Sequence, residues 1–376
     1  MPRRQPGDDA VALIVTPGYL PILGGMEREC ALLAQEFRRR GFRPVVITEQ
    51  QGMDVPLRET MDGVEVVRIP SSLERSLGLQ LRVAAQMARL VLCHRRASFA
   101  VVRTMTLPAL AVGLLKALRL IRFPTLVTAE TGRDVAALRE LPLYGLSRRL
   151  AGAHDRLNGL SQANVDDLRA GGFAERKITA IPNGIDTSAW QRTATPERVD
   201  RLLFLGRLDP EKGVFELVEA FARVHTAHPS LRLTFAGQGP AREELRERVE
   251  QHGLGDAVEF TGRVEYKQLG ALFGRTDCVV LPSYSEGMPL SILEAAAHHQ
   301  VLVVSDVGDI RRLFGDRIYI CPIRDPEGLA RVLQRVVQEA PRTDYEDIVA
   351  SVSISTVAET MLGHLGVPRP PARAAT

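Results

Sequence analysis

Residues 201–213 read RLLFLGRLDPEKG, and this stretch decides the fold. An apolar run of strand length ends at Gly206 and Arg207, and a turn that carries Lys212 leads into a helix predicted from about Val214. A strand that runs through such a turn into a helix is the repeating unit of a parallel sheet covered by helices. The pattern therefore predicts an α/β fold.

The same alternation runs through both halves of the 376-residue chain, which is too long for one ordinary core. The predicted strands are 11–17, 44–49, 64–70, 99–104, 124–130 and 156–161 in the first half, and 201–208, 231–237, 257–262, 278–283, 301–306 and 318–323 in the second. Six strands in each half predict two Rossmann-like, doubly wound parallel-sheet domains that face a cleft. Ligands of such sheets bind beyond the carboxyl ends of the strands.

The domain boundary is predicted near residue 188. The segment 178–190, ITAIPNGIDTSAW, contains a proline and an Asn-Gly turn and is typical of a linker. We expect an N-terminal domain over 1–187, a C-terminal domain over 188–344, one long helix over 345–366 and a disordered tail over 367–376. Near the start of the chain, Gly24 and Gly25 precede a well-marked helix predicted over 26–40.

Composition excludes several classes of protein. The net charge is only +3, from 48 basic and 45 acidic residues, and no basic stripe is interleaved with aromatic residues, which argues against nucleic acid as a partner. No run of about 18 apolar residues occurs, and acids stand where the apolar region of a signal peptide would begin, so we expect a cytoplasmic protein. Contact with a membrane surface stays open. Only four basic residues are lysines, a bias typical of a GC-rich bacterium.

Four cysteines are widely spaced, without a CxxC pair. They are Cys30, Cys93, Cys278 and Cys321. This spacing argues against a zinc site and against a secreted disulfide framework, and all four are predicted to be core thiols.

The turn at 206–213 is the first candidate site. Arg207 and Lys212 stand at the mouth of a strand–helix turn, where two cations and free backbone amides would hold a pyrophosphate. The alternative is a turn with solvated charges. Lys212, as one of only four lysines, favours the functional interpretation.

The second candidate is SEGMPLSILEA, residues 285–295, which follows the strand CVVLPS. Pro289 suits the first position of a helix, so the amides that precede the first helical hydrogen bonds would meet a phosphate. Those amides belong to Met288, Leu290 and Ser291. Glu286 and Glu294 are separated along the sequence, which suits recognition of hydroxyls on two different sugars. The alternative is an acid near the helix cap and a solvated helix residue.

Gly24 and Gly25 are a weaker candidate. Without side chains they would let a ligand approach the backbone, although a tight strand–helix turn would explain them equally well. Neither GxGxxG nor GxxxxGK[ST] is present, so a dinucleotide oxidoreductase and a P-loop enzyme lose their main support.

Taken together, IPNGID, GRLDPEKG, FAGQGP, FTGRV and LPSYSEGMPLSILEA are similar in order and spacing to the retaining glycosyltransferases of family four, which have the GT-B architecture. The resemblance spans nearly the whole chain. It implies that Arg207 and Lys212 bind the donor diphosphate, that Glu286 contacts hydroxyls of the transferred sugar and that Glu294 holds the ribose. It further implies contacts of the base with Gly262, Arg263 and Val264, an approach of Gly24 and Gly25 to the phosphates, and a final helix that returns to the first domain.

One residue departs from the family pattern. Family members commonly carry a histidine in a T-x-H pattern after the fifth strand of the first domain, whereas this chain has Glu130 there. A carboxylate at this place would meet an acceptor hydroxyl or amine, with help from Asp134, and a carboxylate pair would favour a cationic acceptor such as an aminosugar or aminocyclitol. A neutral polyol, lipid or growing polysaccharide is an equally open acceptor. The alternative is a solvated pair of loop acids.

The implied reaction moves a hexose or N-acetylhexosamine from a nucleotide diphosphate, by resemblance UDP, to a small-molecule or glycan acceptor with retention of configuration. The predicted catalytic residues are Arg207, Lys212 and Glu286, which would stabilise the departing diphosphate and hold the sugar. No D-x-D sequence occurs, and we expect neither a metal nor a cofactor. The alternatives are a phosphorylase or epimerase on the same frame, or a nucleotide-sugar-binding protein without turnover.

Overall fold

The computed structural model of the chain describes residues 10–22, 24–72, 76–130, 133–141, 143–187, 195–339 and 341–370. The chain divides into two compact units. The first unit comprises residues 1–184 together with 353–376, and the second comprises 185–352. No helix among the described residues is long and apolar enough to cross a membrane.

The first unit is built on an eight-stranded sheet. Its strands are β1 (Val11–Val15), β2 (Arg43–Glu49), β3 (Arg58–Met61), β4 (Val64–Ile69), β5 (Phe99–Arg103), β6 (Thr125–Ala129), β7 (Arg156–Gly159) and β8 (Ile178–Ala180). Their order is β3-β4-β2-β1-β5-β6-β7-β8, and every pair is parallel except β3 with β4. All six predicted strands are confirmed, but the sheet has two further strands, β3 and β8, that were not predicted. The sequence of β3, RETM, lacks an apolar run, and β8 has only three residues, within the predicted linker.

Helices cover both faces of this sheet. In chain order, the first six helices are α1 (Gly25–Arg39), α2 (Leu77–Cys93), α3 (Leu107–Ala117), α4 (Arg133–Glu140), α5 (Tyr144–Ala151) and α6 (Gln162–Ala170). One face packs against buried side chains of α2 and α3, including Met87 and Val112, whereas α1 packs on the other face through Leu33 and Phe37. The helix predicted over 26–40 is thereby confirmed as α1. The strand interiors are apolar because both faces are covered.

The second unit has six strands, all parallel, as predicted. They are β9 (Arg201–Leu205), β10 (Arg232–Ala236), β11 (Val258–Gly262), β12 (Cys278–Leu281), β13 (Val301–Ser305) and β14 (Tyr319–Cys321), in the order β11-β10-β9-β12-β13-β14. The helices of this unit are α7 (Val214–Ala227), α8 (Arg242–Gln251), α9 (Leu269–Phe273), α10 (Leu290–Ala297), α11 (Ile310–Phe314), α12 (Pro326–Gln338) and α13 (Glu346–Ser351).

The helix predicted over 345–366 is two helices. The helix is interrupted at Val352, after the end of α13. The next helix, α14 (Ile354–Leu365), follows Ser353, whose hydroxyl accepts a hydrogen bond from the amide of Thr356. A serine in this role starts a new helix, which is why one continuous helix does not form. The second unit contains α13, whereas α14 packs against α1 in the first unit.

The chain passes into the second unit between Gly184 and Ile185. The boundary predicted near 188 falls within 188–194, which lie outside the described residues. Of the tail predicted to be disordered, 371–376 also lie outside them, but Val367 packs on the core beside α14 and Arg369 forms an ion pair with Glu359.

The four cysteines are free thiols. Three of them are buried as predicted, but Cys93 is exposed at the end of α2. Its helix turns it away from the sheet, because the buried stripe of α2 runs through Val83, Met87 and Val91.

Candidate active site

In the second unit, Lys212 and Glu286 follow the two strands at which the strand order reverses. The sheet grows outward from β9 on one side and from β12 on the other, so the connections after these strands lead away in opposite directions. Such a switch point leaves a crevice at the carboxyl ends of the two strands, where open α/β sheets bind their ligands. Lys212 lies in the loop after β9, and Glu286 lies in the loop after β12.

Two glycines bring the loops of this edge into close contact. Gly213 has a φ of +68°, and a Cβ atom there would lie 2.2 Å from the carbonyl oxygen of Pro282 in the loop after β12. Gly308 has a φ of +58°, and its Cβ would lie 2.2 Å from the carbonyl oxygen of Gly287. Both the backbone conformation and the space require glycine. The loops after β9, β12 and β13 are therefore packed against one another around Glu286.

Lys212 and Glu286 form an ion pair at the centre of these loops. The Lys212 Nζ lies 2.6 Å from Glu286 Oε1, and the hydroxyl of Ser283 donates to the same oxygen at 2.8 Å. Both side chains are partly buried. Ser283 is itself held by Ser305, whose hydroxyl donates to the Ser283 carbonyl oxygen at 2.5 Å. The sequence indicated a role for each member of the pair but not their contact.

Arg207 lies apart from this pair. Its side chain is 70% exposed and forms an ion pair with Asp209 on the same turn. The hydrogen bond from the Arg207 guanidinium is the main reason why the pKa of Asp209 is lowered. Arg207 thus lies on the predicted loop, with its side chain in solvent.

The carboxylate of Glu294 is not on the surface. Glu294 is 1% exposed and belongs to the interior-facing residues of α10, so the alternative of a solvated helix residue was wrong. The helix begins at Leu290, and Pro289 precedes it as the N-cap instead of occupying the first helical position. Met288 and Leu290 are buried, and Ser291 is half-buried. The first amides of a helix have no partner within it, which leaves those of Leu290 and Ser291 for other acceptors.

The residues predicted to contact the base lie at the end of the edge strand β11, which β10 separates from β9. Gly262 is the last residue of β11 and has a φ of +69°, and the chain continues through an exposed Arg263 and a half-buried Val264. They lie at the same carboxyl edge of the second sheet as Lys212 and Glu286.

In the first unit, a fully buried arginine stands at the corresponding switch point between β1 and β5. Arg103 ends β5 with 0% exposure and forms ion pairs with Glu29 of α1 and with Glu130 after β6. Its Nη2 also lies 3.3 Å from Asn183 Oδ1. Neither Arg103 nor Glu29 was predicted from the sequence. The available signal was an arginine at the carboxyl end of a wholly apolar strand.

Glu130 does not present a free carboxylate. Arg103 donates to both of its oxygens, at 2.9 Å for Oε2, and the Glu130 amide donates to Asp134 Oδ2 at 2.6 Å. Asp134 is buried. Both carboxylates are largely buried, so the alternative of solvated loop acids was wrong. A contact of this pair with an acceptor stays a prediction. The buried guanidinium of Arg103 compensates the charge of Glu130, and the Glu130 amide donates to the carboxylate of Asp134.

Gly24 makes room for a carboxylate of its own helix. A Cβ on Gly24 would lie 2.2 Å from Glu27 Oε2, and one on Gly18 would lie 2.5 Å from Glu27 Oε1. Glu27 thus sits between the two ends of the β1–α1 loop. Burial raises the pKa of Glu27, and the nearby charge of Glu130 raises it further. Burial likewise raises the pKa of Glu29, against the opposing effect of Arg103. Gly25, the first residue of α1, is exposed.

Two family models match the chain in succession. Residues 23–189 match the model described as glycosyltransferase family 4, and residues 188–348 match the one described as glycosyl transferases group 1. The two matches run without a gap and reproduce the division into two α/β units. This chain is a family-four glycosyltransferase with the GT-B fold.

Relatives of this glycosyltransferase are named for different activities. Glycogen synthase of Mycobacterium tuberculosis is 36% identical over 46% of this chain and 43% of that enzyme. Alpha-D-kanosaminyltransferase of Streptomyces kanamyceticus is 32% identical over 37% of this chain and 36% of that enzyme. The matches therefore cover less than half the length of these relatives. The Anabaena protein HepE, solved in complex with UDP and glucose, has the same fold, with a TM-score of 0.73 and 17% identity over 95% of this chain and 99% of HepE.

Proposed function

We propose that this protein is a retaining, metal-independent glycosyltransferase that moves a hexose or N-acetylhexosamine from UDP to an acceptor hydroxyl. The observation that carries the proposal is the contact between Lys212 and Glu286 at the switch point of the second sheet. A cation for the diphosphate and a carboxylate for sugar hydroxyls lie side by side there. The UDP and glucose in the HepE complex support the choice of donor.

Lys212 stabilises the leaving group in this mechanism. Departure of UDP concentrates negative charge on its terminal phosphate while the sugar becomes oxocarbenium-like, so a preorganised cation lowers the barrier. The Lys212 ammonium has three donors and meets Glu286 with one of them, which leaves donors for phosphate oxygens. The amides at the start of α10 add further donors. These groups supply the charge that a divalent metal would otherwise provide.

Glu286 orients the transferred sugar. Its bonds to Lys212 and Ser283 both fall on Oε1, so Oε2 is the oxygen that accepts a sugar hydroxyl. Fixing the sugar places its anomeric carbon beside the acceptor, and the leaving phosphate takes the acceptor's proton on the same face. The configuration is retained, and no protein nucleophile takes part.

An amine-bearing acceptor, such as an aminosugar or aminocyclitol, fits the first unit through Glu27. Glu29 and Glu130 form ion pairs with the single guanidinium of Arg103, and Glu27 lies near enough for the charges of Glu130 and Arg103 to affect its pKa, so the cluster sets three carboxyl groups against one cation. Glu27 and Glu130 are both half-buried, but Glu130, like the buried Glu29, is engaged by Arg103. An ammonium beside Glu27 would gain a charge-assisted hydrogen bond.

The direct test is incubation with a panel of UDP- and GDP-sugars, first without acceptor and then with paired amine-bearing and hydroxyl-only acceptors. Mass spectrometry should detect slow hydrolysis of a UDP-sugar and its acceleration by an acceptor, and the product anomer should match the donor by NMR. Consumption of inorganic phosphate would indicate a phosphorylase, and release of an isomeric sugar would indicate an epimerase. Glu27→Gln should remove any preference for the amine. An unchanged preference would exclude Glu27 as the acceptor contact.

A further inference from the structure

The helices on one face of the first sheet expose leucines toward solvent. Nine large hydrophobic side chains among the described residues are exposed, and seven of them lie on α2, α3, α5 or the residues directly beside these helices. Those seven are Leu77, Leu81, Leu114, Leu118, Leu120, Leu143 and Leu146, with exposures between 42% and 75%. Single exposed leucines are ordinary, but seven on one helix layer are not.

Four of the seven leucines form two pairs at helical spacing. Leu77 and Leu81 are four residues apart on α2, as are Leu114 and Leu118 at the end of α3. On α2 they lie opposite the stripe of Val83, Met87 and Val91 that packs on the sheet, because two residues along a helix correspond to about 200°. The leucines therefore have no role in the domain core.

The three helices form one layer. Side chains of α2 and α3 pack on the same face of the sheet, α2 packs against α3, and α3 packs against α5. The contact with α5 is close, since a Cβ on Gly113 would lie 2.1 Å from the carbonyl oxygen of Leu150. The exposed leucines thus belong to the outer surface of one continuous helix layer, which we call the leucine face.

The leucine face is also positively charged. Residues 76–129 contain no aspartate or glutamate, and six of their arginines are exposed. These are Arg82, Arg89, Arg95, Arg96, Arg119 and Arg122, and α5 adds an exposed Arg149. Nearly every other exposed helix of the chain pairs its arginines with acids, as Arg248 does with Glu244 on α8. Among the described residues, none of the six arginines forms an ion pair.

From this combination we infer that the leucine face docks on an anionic lipid surface. Leucines would enter the boundary between headgroups and acyl chains, and the surrounding arginines would meet the phosphates of the headgroups. The uncompensated charge favours anionic lipid over a second copy of this chain, because two copies would bring their arginines together. The inference does not depend on the proposed reaction.

The test is co-flotation of the full chain with vesicles of phosphatidylcholine, alone or mixed with phosphatidylglycerol. We expect binding to the mixed vesicles only, weakened by added sodium chloride. The triple variant Leu81→Ser, Leu118→Ser, Leu146→Ser should bind at least about tenfold more weakly. Its matched control is Leu57→Ser with Ile323→Ser, the two exposed large hydrophobic side chains that lie outside the leucine face among the described residues. That control should bind as the wild type does.

A second pair of variants tests the charges. Arg82→Gln, Arg119→Gln and Arg149→Gln together should weaken binding by about a hundredfold, whereas the same change at three exposed arginines of the second unit should not. Those control residues are Arg223, Arg246 and Arg331. Failure of the wild type to bind mixed vesicles would overturn the inference, as would equal binding by the leucine variant. A dimer that only the leucine variant disrupts, without vesicle binding, would assign the face to a second copy instead.

Discussion

The guanidinium of Arg103 donates to both carboxylate oxygens of Glu130 and also pairs with Glu29, and all of this lies at the end of a buried strand. The one cation at the end of β5 holds two carboxylates, one from α1 and one from the loop after β6. The arrangement ties α1 to the loop after β6. Removal of the cation would leave two carboxylates facing each other with little solvent to separate them.

Arg103→Met should therefore destabilise the protein strongly, by about 3 to 5 kcal/mol, because the buried Glu29 would lose its compensating charge. The measurement is urea unfolding followed by circular dichroism. The double variant Arg103→Met with Glu29→Gln should regain part of the loss. As a control, Arg169→Met removes an exposed ion pair with Glu175 and should leave the midpoint nearly unchanged. Equal midpoints for the Arg103 variant and the wild type would show that the cluster does not hold this edge.

Lys212→Ala should lower kcat by roughly ten- to a thousandfold, since it removes a donor to the charge that develops on the leaving phosphate. Arg207→Ala should act in the same direction, because its exposed side chain is free to turn from Asp209 to a bound phosphate. Steady-state kinetics at saturating donor measure both effects. Arg223→Ala, which removes an exposed cation with a carboxylate partner in the same unit, is the control. Wild-type turnover in the Lys212 variant would refute its assignment.

Excess EDTA should leave turnover unchanged, because lysine, arginine and helix amides serve the diphosphate. The assay compares initial rates before and after chelation and after addition of magnesium or manganese. Complete loss of activity that either metal restores would contradict the mechanism.

Glu286→Gln should mainly reduce kcat, whereas Glu294→Gln should mainly weaken UDP binding, because an amide presents one acceptor oxygen where a carboxylate presents two. Titration calorimetry with UDP and steady-state kinetics separate the two effects. Since Glu294 is buried, its variant also needs an unfolding curve. A lower midpoint with unchanged UDP affinity would assign Glu294 to the interior of the domain instead of the ribose.

His154 should make stability depend on pH. Its ring is buried with Nε2 3.0 Å from the Ala109 carbonyl oxygen, and burial lowers its pKa to about 4. Between pH 6.5 and about 4, the imidazole of His154 is protonated in the unfolded chain but stays neutral in the folded protein. Stability is therefore fully present above pH 6.5 and falls as the pH drops toward 4, by about 3 kcal/mol. Urea midpoints of His154→Gln should fall less steeply with pH than those of wild type. The exposed-residue control His252→Gln should keep the wild-type slope.

The strands that the sequence predicted are those in which burial on both faces leaves an apolar run, such as VALIV in β1. The edge strand β3 was not predicted, because its partly exposed residues need not be apolar. Lys212 and Glu286 were found because each follows such a run, and the adjacency of their strands in a doubly wound sheet is a general rule. The Arg103 cluster was not predictable in the same way, because its members come from distant segments and only the folded sheet brings their side chains together. The interruption at Val352 depends on one serine cap, a signal too weak to outweigh the apolar periodicity on either side.

The amide of Ile185 donates to the carbonyl oxygen of Val352 at 2.9 Å, so the chain leaves the second unit beside the place where it entered. In topological terms the second unit is an insertion within the first. On the ribosome, residues 185–352 are complete and free to fold before α14 has emerged, whereas the hydrophobic cluster that α1 forms on the first sheet is complete only when α14 joins it. The N-terminal unit is therefore synthesised first but finishes folding last. Until α14 joins it, its α1 face is the surface that a chaperone would meet in the nascent chain.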